Sequence, residues 1–150
     1  MNTVADEMLT PAPLWRRLAA LVYDLFPLIA LWMITVLLCL LAIGGHYDPQ
    51  HPHWASHLGL QLALLAVTAA YFVISWARIG ATIGMRAWKL KLIRDDGSKL
   101  GIARALARFL LALLSIAIAG IGFWMALFDS RKRTLHDRIC GTVMVRLPMR

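Results

Sequence analysis

Asp24 is the only charge between Leu18 and Ile43, in a run of apolar residues. An ionisable side chain inside such a run is costly in a bilayer, so it faces a partner or a water-filled cavity. Arg17 lies seven positions earlier. On a helix that spacing is about two turns, so both residues share a face, ~10 Å apart along the axis. Pro27 follows Asp24 by three residues. It removes a backbone donor, and its ring clashes with the carbonyl of Tyr23, so a kink here would open polar backbone beside Asp24. A carboxylate in this setting either exchanges a proton or cation, or anchors its helix at a membrane interface.

Other residues with chemical potential are weaker candidates. His46, Asp48, His51, His53 and His57 fall in one short stretch. Histidine and carboxylate can bind zinc, but these spacings match no metal motif, and the expectation is a polar, pH-responsive loop without metal. His136 stands beside Asp137, yet adjacent residues on a helix do not face each other. No nucleophile has a base at a useful spacing. The expectation is therefore no catalytic residue, no cofactor and no enzyme activity. Cys39 and Cys140 are the two cysteines, and they read as unpaired thiols, not as a disulfide framework.

The elements that must carry these residues are helices. The chain has 150 residues, 60% of them hydrophobic, against ~45–50% for an average soluble domain. The apolar residues form three blocks. About 20 apolar residues span a bilayer core, which predicts helix 1 over 14–43 and helix 2 over 58–77. Residues 1–13 form an N-terminal tail with no positive region, unlike a cleavable signal. Residues 44–57, with Gly44, Gly45, Pro49 and Pro52, form a turn between antiparallel helices. The third block, 103–128, contains Gly120 and Gly122; it crosses once or enters and returns. In the basic segment 78–102, Leu90 to Arg94 alternates apolar and basic residues before Asp95-Asp96-Gly97. That is a hairpin signal. The tail, 129–150, holds a second strand-like run, Thr142 to Arg146. A small β element built from these segments is expected on the cytoplasmic membrane surface. The fold class is an all-α integral membrane protein in one domain, with two transmembrane helices, a third kinked or re-entrant hydrophobic helix and this β element.

Charge sets the expected orientation. The formal net charge is +8. The 44–57 loop has no Lys or Arg, whereas 78–108 and the tail are rich in both. Cytoplasmic loops carry that excess, so the N-terminus and the basic segment are expected inside. The tail stays inside if the third block re-enters or lies along the interface, and the charge rule favours that arrangement. Because the basic residues flank apolar runs, no nucleic-acid binding is expected; membrane lipids are the expected partners. Arg104 and Arg108, four apart on one helix face, are expected at lipid headgroups or, as the lesser alternative, at a carboxylate of the cluster around Asp24. Trp15 and Trp54 are expected as interface anchors.

Three segments carry a resemblance. Arg17-Leu18-Ala19-Ala20-Leu21-Val22-Tyr23-Asp24 resembles the first signature of the RDD family of membrane proteins, named for one arginine and two aspartates. Arg78-Ile79-Gly80-Ala81-Thr82-Ile83-Gly84-Met85-Arg86 resembles that family's turn after its second helix. Arg133-Thr134-Leu135-His136-Asp137-Arg138-Ile139-Cys140-Gly141-Thr142-Val143 resembles its last signature. The resemblance implies a multi-pass protein of the bacterial inner membrane and places the second aspartate at Asp137. It groups Arg17, Asp24 and Asp137 as the candidate cluster, supported by Arg78, Gly80, Thr82, Gly84, Arg86 and Arg108. Such a cluster suits proton-coupled transport of a cation or small solute, since nearby carboxylates raise one pKa. It equally suits a structural clamp in an assembly or stabilising subunit, as a homo-oligomer or within a larger membrane complex.

Overall fold

The computed structural model describes residues 10–42, 54–117 and 134–147. Most of these residues are helical. α1 spans Leu14–Ala42 and α2 Trp54–Arg78. At 1.5 Å per residue they are roughly 44 and 38 Å long, and both are apolar and long enough to cross a membrane. α1 runs through Pro27 without interruption. Its buried residues are Arg17, Ala20, Asp24 and Leu28, a stripe at the three- and four-residue spacing of one helix face.

The segment after α2 folds tightly. Gly80 ends the helix in the left-handed region, with φ of 78°, where a side chain would be strained. Its N–H returns to the carbonyls of Ser75 and Trp76, and its own carbonyl accepts from Leu92 N at 2.7 Å. This ties the end of α2 to the sheet. A one-turn helix, α3 (Ile83–Ala87), follows, with Thr82 as its N-cap.

β1 (Thr10–Pro11), β2 (Leu90–Arg94) and β3 (Thr142–Arg146) form an antiparallel sheet of order β1-β3-β2. Leu90 pairs with Arg146 and Arg94 with Thr142. The two strand-like runs therefore meet each other across the sheet. Asp96-Gly97 makes only a turn, closed by Gly97 N to Arg94 O at 2.8 Å, and leads into no hairpin partner. Leu90 and Leu92 point into the core while Lys91 is half-buried, the period-two pattern of a strand with one covered face.

α4 spans Ile102–Ala117 and α5 Leu135–Ile139. The third apolar block thus begins as a helix. Its glycines and its crossing or return lie outside the described residues, as do His46, Asp48, His51 and His53 of the polar loop. Phe72, Val73 and Trp76 of α2, Ala105 and Phe109 of α4, Met85 of α3, and Leu90, Leu92 and Met144 of the sheet build one core. It lies where the start of α1, the end of α2 and the start of α4 meet the sheet.

Candidate functional site

The residues of the predicted cluster separate into two centres. The first forms around Asp137, on α5. Arg17 Nη1 donates to its Oδ2 at 2.6 Å, and Arg108 donates to Oδ1 from Nε at 3.1 Å and Nη2 at 2.7 Å. Arg17 Nε donates to the Ala12 carbonyl at 3.1 Å. All three charged side chains are buried. For Arg108 the headgroup expectation gives way to the alternative, a carboxylate of the cluster. Its guanidinium turns inward, 4.4 Å from the centre of the Trp76 ring. A cation over an aromatic face is attracted by the ring quadrupole, which suits a weakly hydrated guanidinium better than a lysine. Arg104, one turn earlier, is exposed.

Local structure prepares Asp137 for this role. Thr134 caps α5, accepting from Asp137 N, while Asp137 Oδ2 accepts from Thr134 N at 3.3 Å. This reciprocal capping box satisfies two donors that the first helical turn leaves open. Burial pushes the Asp137 carboxyl upward, but the Arg108 and Arg17 guanidiniums outweigh it and hold it well below the usual carboxylate range. The neighbouring His136 imidazole is pushed down to about 4 by burial and by Arg108, with Asp137 opposing.

The second centre surrounds Asp24. Tyr71 OH and Gly84 N donate to Oδ1 at 2.6 and 2.7 Å, and Thr82 Oγ1 donates to Oδ2 at 2.6 Å. Thr82 Oγ1 also accepts from Met85 N at 3.2 Å. The Asp24 carboxylate therefore closes the open end of α3 from a different helix. Gly84 is required by contact: a Cβ there would overlap the Ala20 carbonyl and crowd Asp24. Asp24 has no ion pair with Arg17, although both lie on the same face of α1. Each has turned to a different element.

The two centres face one cavity of about 290 Å³ between α1, α2 and α4, with Arg17, Asp24, Arg108 and His136 in its wall among mostly apolar side chains. Of the supporting residues, Gly80, Thr82 and Gly84 shape the Asp24 centre and Arg108 belongs to the Asp137 centre. Arg78 and Arg86 are exposed and enter neither; Arg86 lines an open basic groove with Lys89 and Lys91. Trp15 packs edge-on against Trp88 at 5.6 Å. Among the described residues no group of histidine, cysteine and carboxylate side chains is arranged to hold a metal.

Sequence reasoning missed Tyr71 and Trp76. A tyrosine in an apolar helix is a signal that was available, because a buried phenol needs a hydrogen-bond partner. Thr134-x-x-Asp137 was available too, as a capping-box spacing.

Residues 11–141 match the RDD family. The chain belongs to the RDD family. In this chain Arg17 and Arg108 share Asp137 in a buried ion-pair cluster, and Asp24 stands apart on hydrogen bonds from Tyr71, Thr82 and Gly84. Relatives include "Uncharacterized protein YxaI" of Bacillus subtilis (strain 168), 28% identical over 59% of this chain and 58% of its own length. "Uncharacterized protein YckC" of the same organism is 29% identical over 88% of this chain and 82% of its own. "Proline-rich antigen homolog" of Mycobacterium tuberculosis is 28% identical over 97% of this RDD chain and 66% of its own length. This chain therefore spans 58% and 66% of the length of two of these relatives. No solved structure matches.

Proposed function

We propose that this RDD protein is a membrane-embedded, non-catalytic subunit of a bacterial inner membrane, in which the arginine and its two aspartates are structural locks. One observation carries this reading. Every oxygen of the two carboxylates accepts at least one hydrogen bond from another element of the same chain. Asp137 fastens α5 to α1 and α4, and Asp24 fastens α3 to α1 and α2. A cation would need oxygen lone pairs turned towards it; here hydrogens are turned towards the carboxylates. The membrane setting is supported by α1 and α2, whose most apolar windows are only 6% and 11% buried. So much exposed apolar surface is a liability in water and marks a membrane or interaction face. The Arg17–Asp137 pair also supports a tail on the same side as the start of α1, the side that the basic residues favour as cytoplasmic. Lipids, further copies of the chain or other membrane proteins are the partners that suit such a body.

A second reading is transport of a proton or small cation. It is favoured by Asp24 itself, a carboxylate without an ion pair among the described residues, in a helix long enough to span, facing a cavity. The two readings part on Asp24→Asn in purified protein reconstituted into liposomes. A lock loses folded protein, because the new amide brings donors against Tyr71, Thr82 and Gly84. A transport site stays folded and loses proton movement driven by Na⁺, K⁺ or Li⁺. Wild-type flux that vanishes in a well-folded Asp24→Asn protein would replace the first reading with the second.

A further inference from the structure

Arg17 is 5% exposed, and its guanidinium is incompletely used. Nη1 serves Asp137 and Nε serves the Ala12 carbonyl, but Nη2 is buried with no hydrogen-bond partner. Buried donors are rarely left in this state, since they forfeit water without compensation. Arg17 stands in the wall of the 290 Å³ cavity. Two guanidiniums meet one carboxylate on this side, leaving one positive charge in excess. Asp24, the other carboxylate in the wall, already takes donors from Tyr71, Thr82 and Gly84. Arg108, His136, Thr68 and Thr134 add polar groups, and most of the remaining wall is apolar, including Leu28, Phe72, Phe109 and Leu113. The volume sits just below the ~300–1,000 Å³ of ordinary small-molecule pockets. It suits one alkyl chain with a compact head.

We propose that this cavity binds a single-chain amphiphile with a carboxylate head, whose oxygen accepts from Arg17 Nη2 while its alkyl chain lies among Leu28, Phe72, Phe109 and Leu113. The binding stands apart from the choice between lock and transporter, because it uses the one Arg17 nitrogen that neither reading employs.

Trp32 and Trp76 line the same cavity and report on it. The experiment adds terminally brominated dodecanoate to the purified full chain in digitonin, which lacks an alkyl chain, and follows tryptophan quenching. The expected result is saturable quenching, displaced by plain dodecanoate at least tenfold better than by dodecyltrimethylammonium. Ala112→Phe, which narrows the cavity without touching either carboxylate centre, is expected to remove the saturable component at an unchanged melting temperature. Equal displacement by the cationic amphiphile would overturn the role of Arg17. Unchanged saturable quenching in folded Ala112→Phe would mean partition elsewhere. No saturable quenching in wild type would overturn the proposal.

Discussion

Asp137 accepts Arg17 and Arg108 and closes its own helix cap at the same time. Replacing it by Asn leaves two buried guanidiniums facing a neutral group. Breaking a buried ion pair from one side costs ~3–5 kcal/mol, so Asp137→Asn is expected to lower the melting temperature sharply in detergent, or to prevent folding. His136 makes a separate prediction. Its folded-state pKa of about 4 lies below the free value of 6.5, so the unfolded chain binds the proton more readily. Its contribution is therefore complete above pH 6.5 and drains away as pH falls to about 4. A midpoint measured across pH 7 to 4 should drop, and His136→Gln should flatten that slope. Asp137 adds loss in the same direction once pH falls into the ordinary carboxylate range, where the unfolded chain takes up its proton, and the loss continues below that range. The Arg17 partner was not legible in the sequence. Periodicity reports which residues share a helix face, and it correctly put Arg17 and Asp24 on one. It carries no information on which distant segment returns to meet that face. Arg108 was misplaced for a related reason: its spacing to Arg104 ignored Trp76, the surface that makes burying a guanidinium tolerable.

Between elements, the tightest constraint is where α3 crosses α1. Gly84→Ala would drive a methyl group into the Ala20 backbone and push Asp24 off the Gly84 amide. Overpacking of this kind typically costs ~1–3 kcal/mol, and loss of a hydrogen bond to a charged group adds to it. The expected outcome is a melting temperature lowered more by Gly84→Ala than by Gly101→Ala, where a Cβ meets nothing within 4 Å. The strands show the opposite balance of local and distant information. Alternation identified Leu90–Arg94, since a strand with one buried face writes its period into the sequence, and Thr142–Arg146 read as a second strand-like run. β1 escaped because two residues, one of them Pro11, carry no period. It exists through its pairing to β3, supported by Ala12 N to Met144 O at 2.9 Å. α3 also escaped, since one turn is too short to show a face; its only signal was Thr82 as a cap.

For the molecule as a whole, α1 and α2 were the most legible features, because length and apolarity alone define them. They extend away from the packed core and leave Val22, Phe26, Met33, Leu38 and Leu41 exposed. Alkaline carbonate extraction of membranes tests the setting proposed for them. The chain is expected to stay in the pellet. Release into the supernatant would assign these faces to a protein partner.

The Arg17–Asp137 bond joins residues 120 positions apart, and that separation is also an interval in time. At ~5–20 residues per second of synthesis, Arg17 exists for roughly 6–24 s before its counter-charge is made. Through that interval α1 is a hydrophobic segment with an unanswered charge near its entrance. The tail is thus the piece that closes the fold, and every nascent chain waits for it.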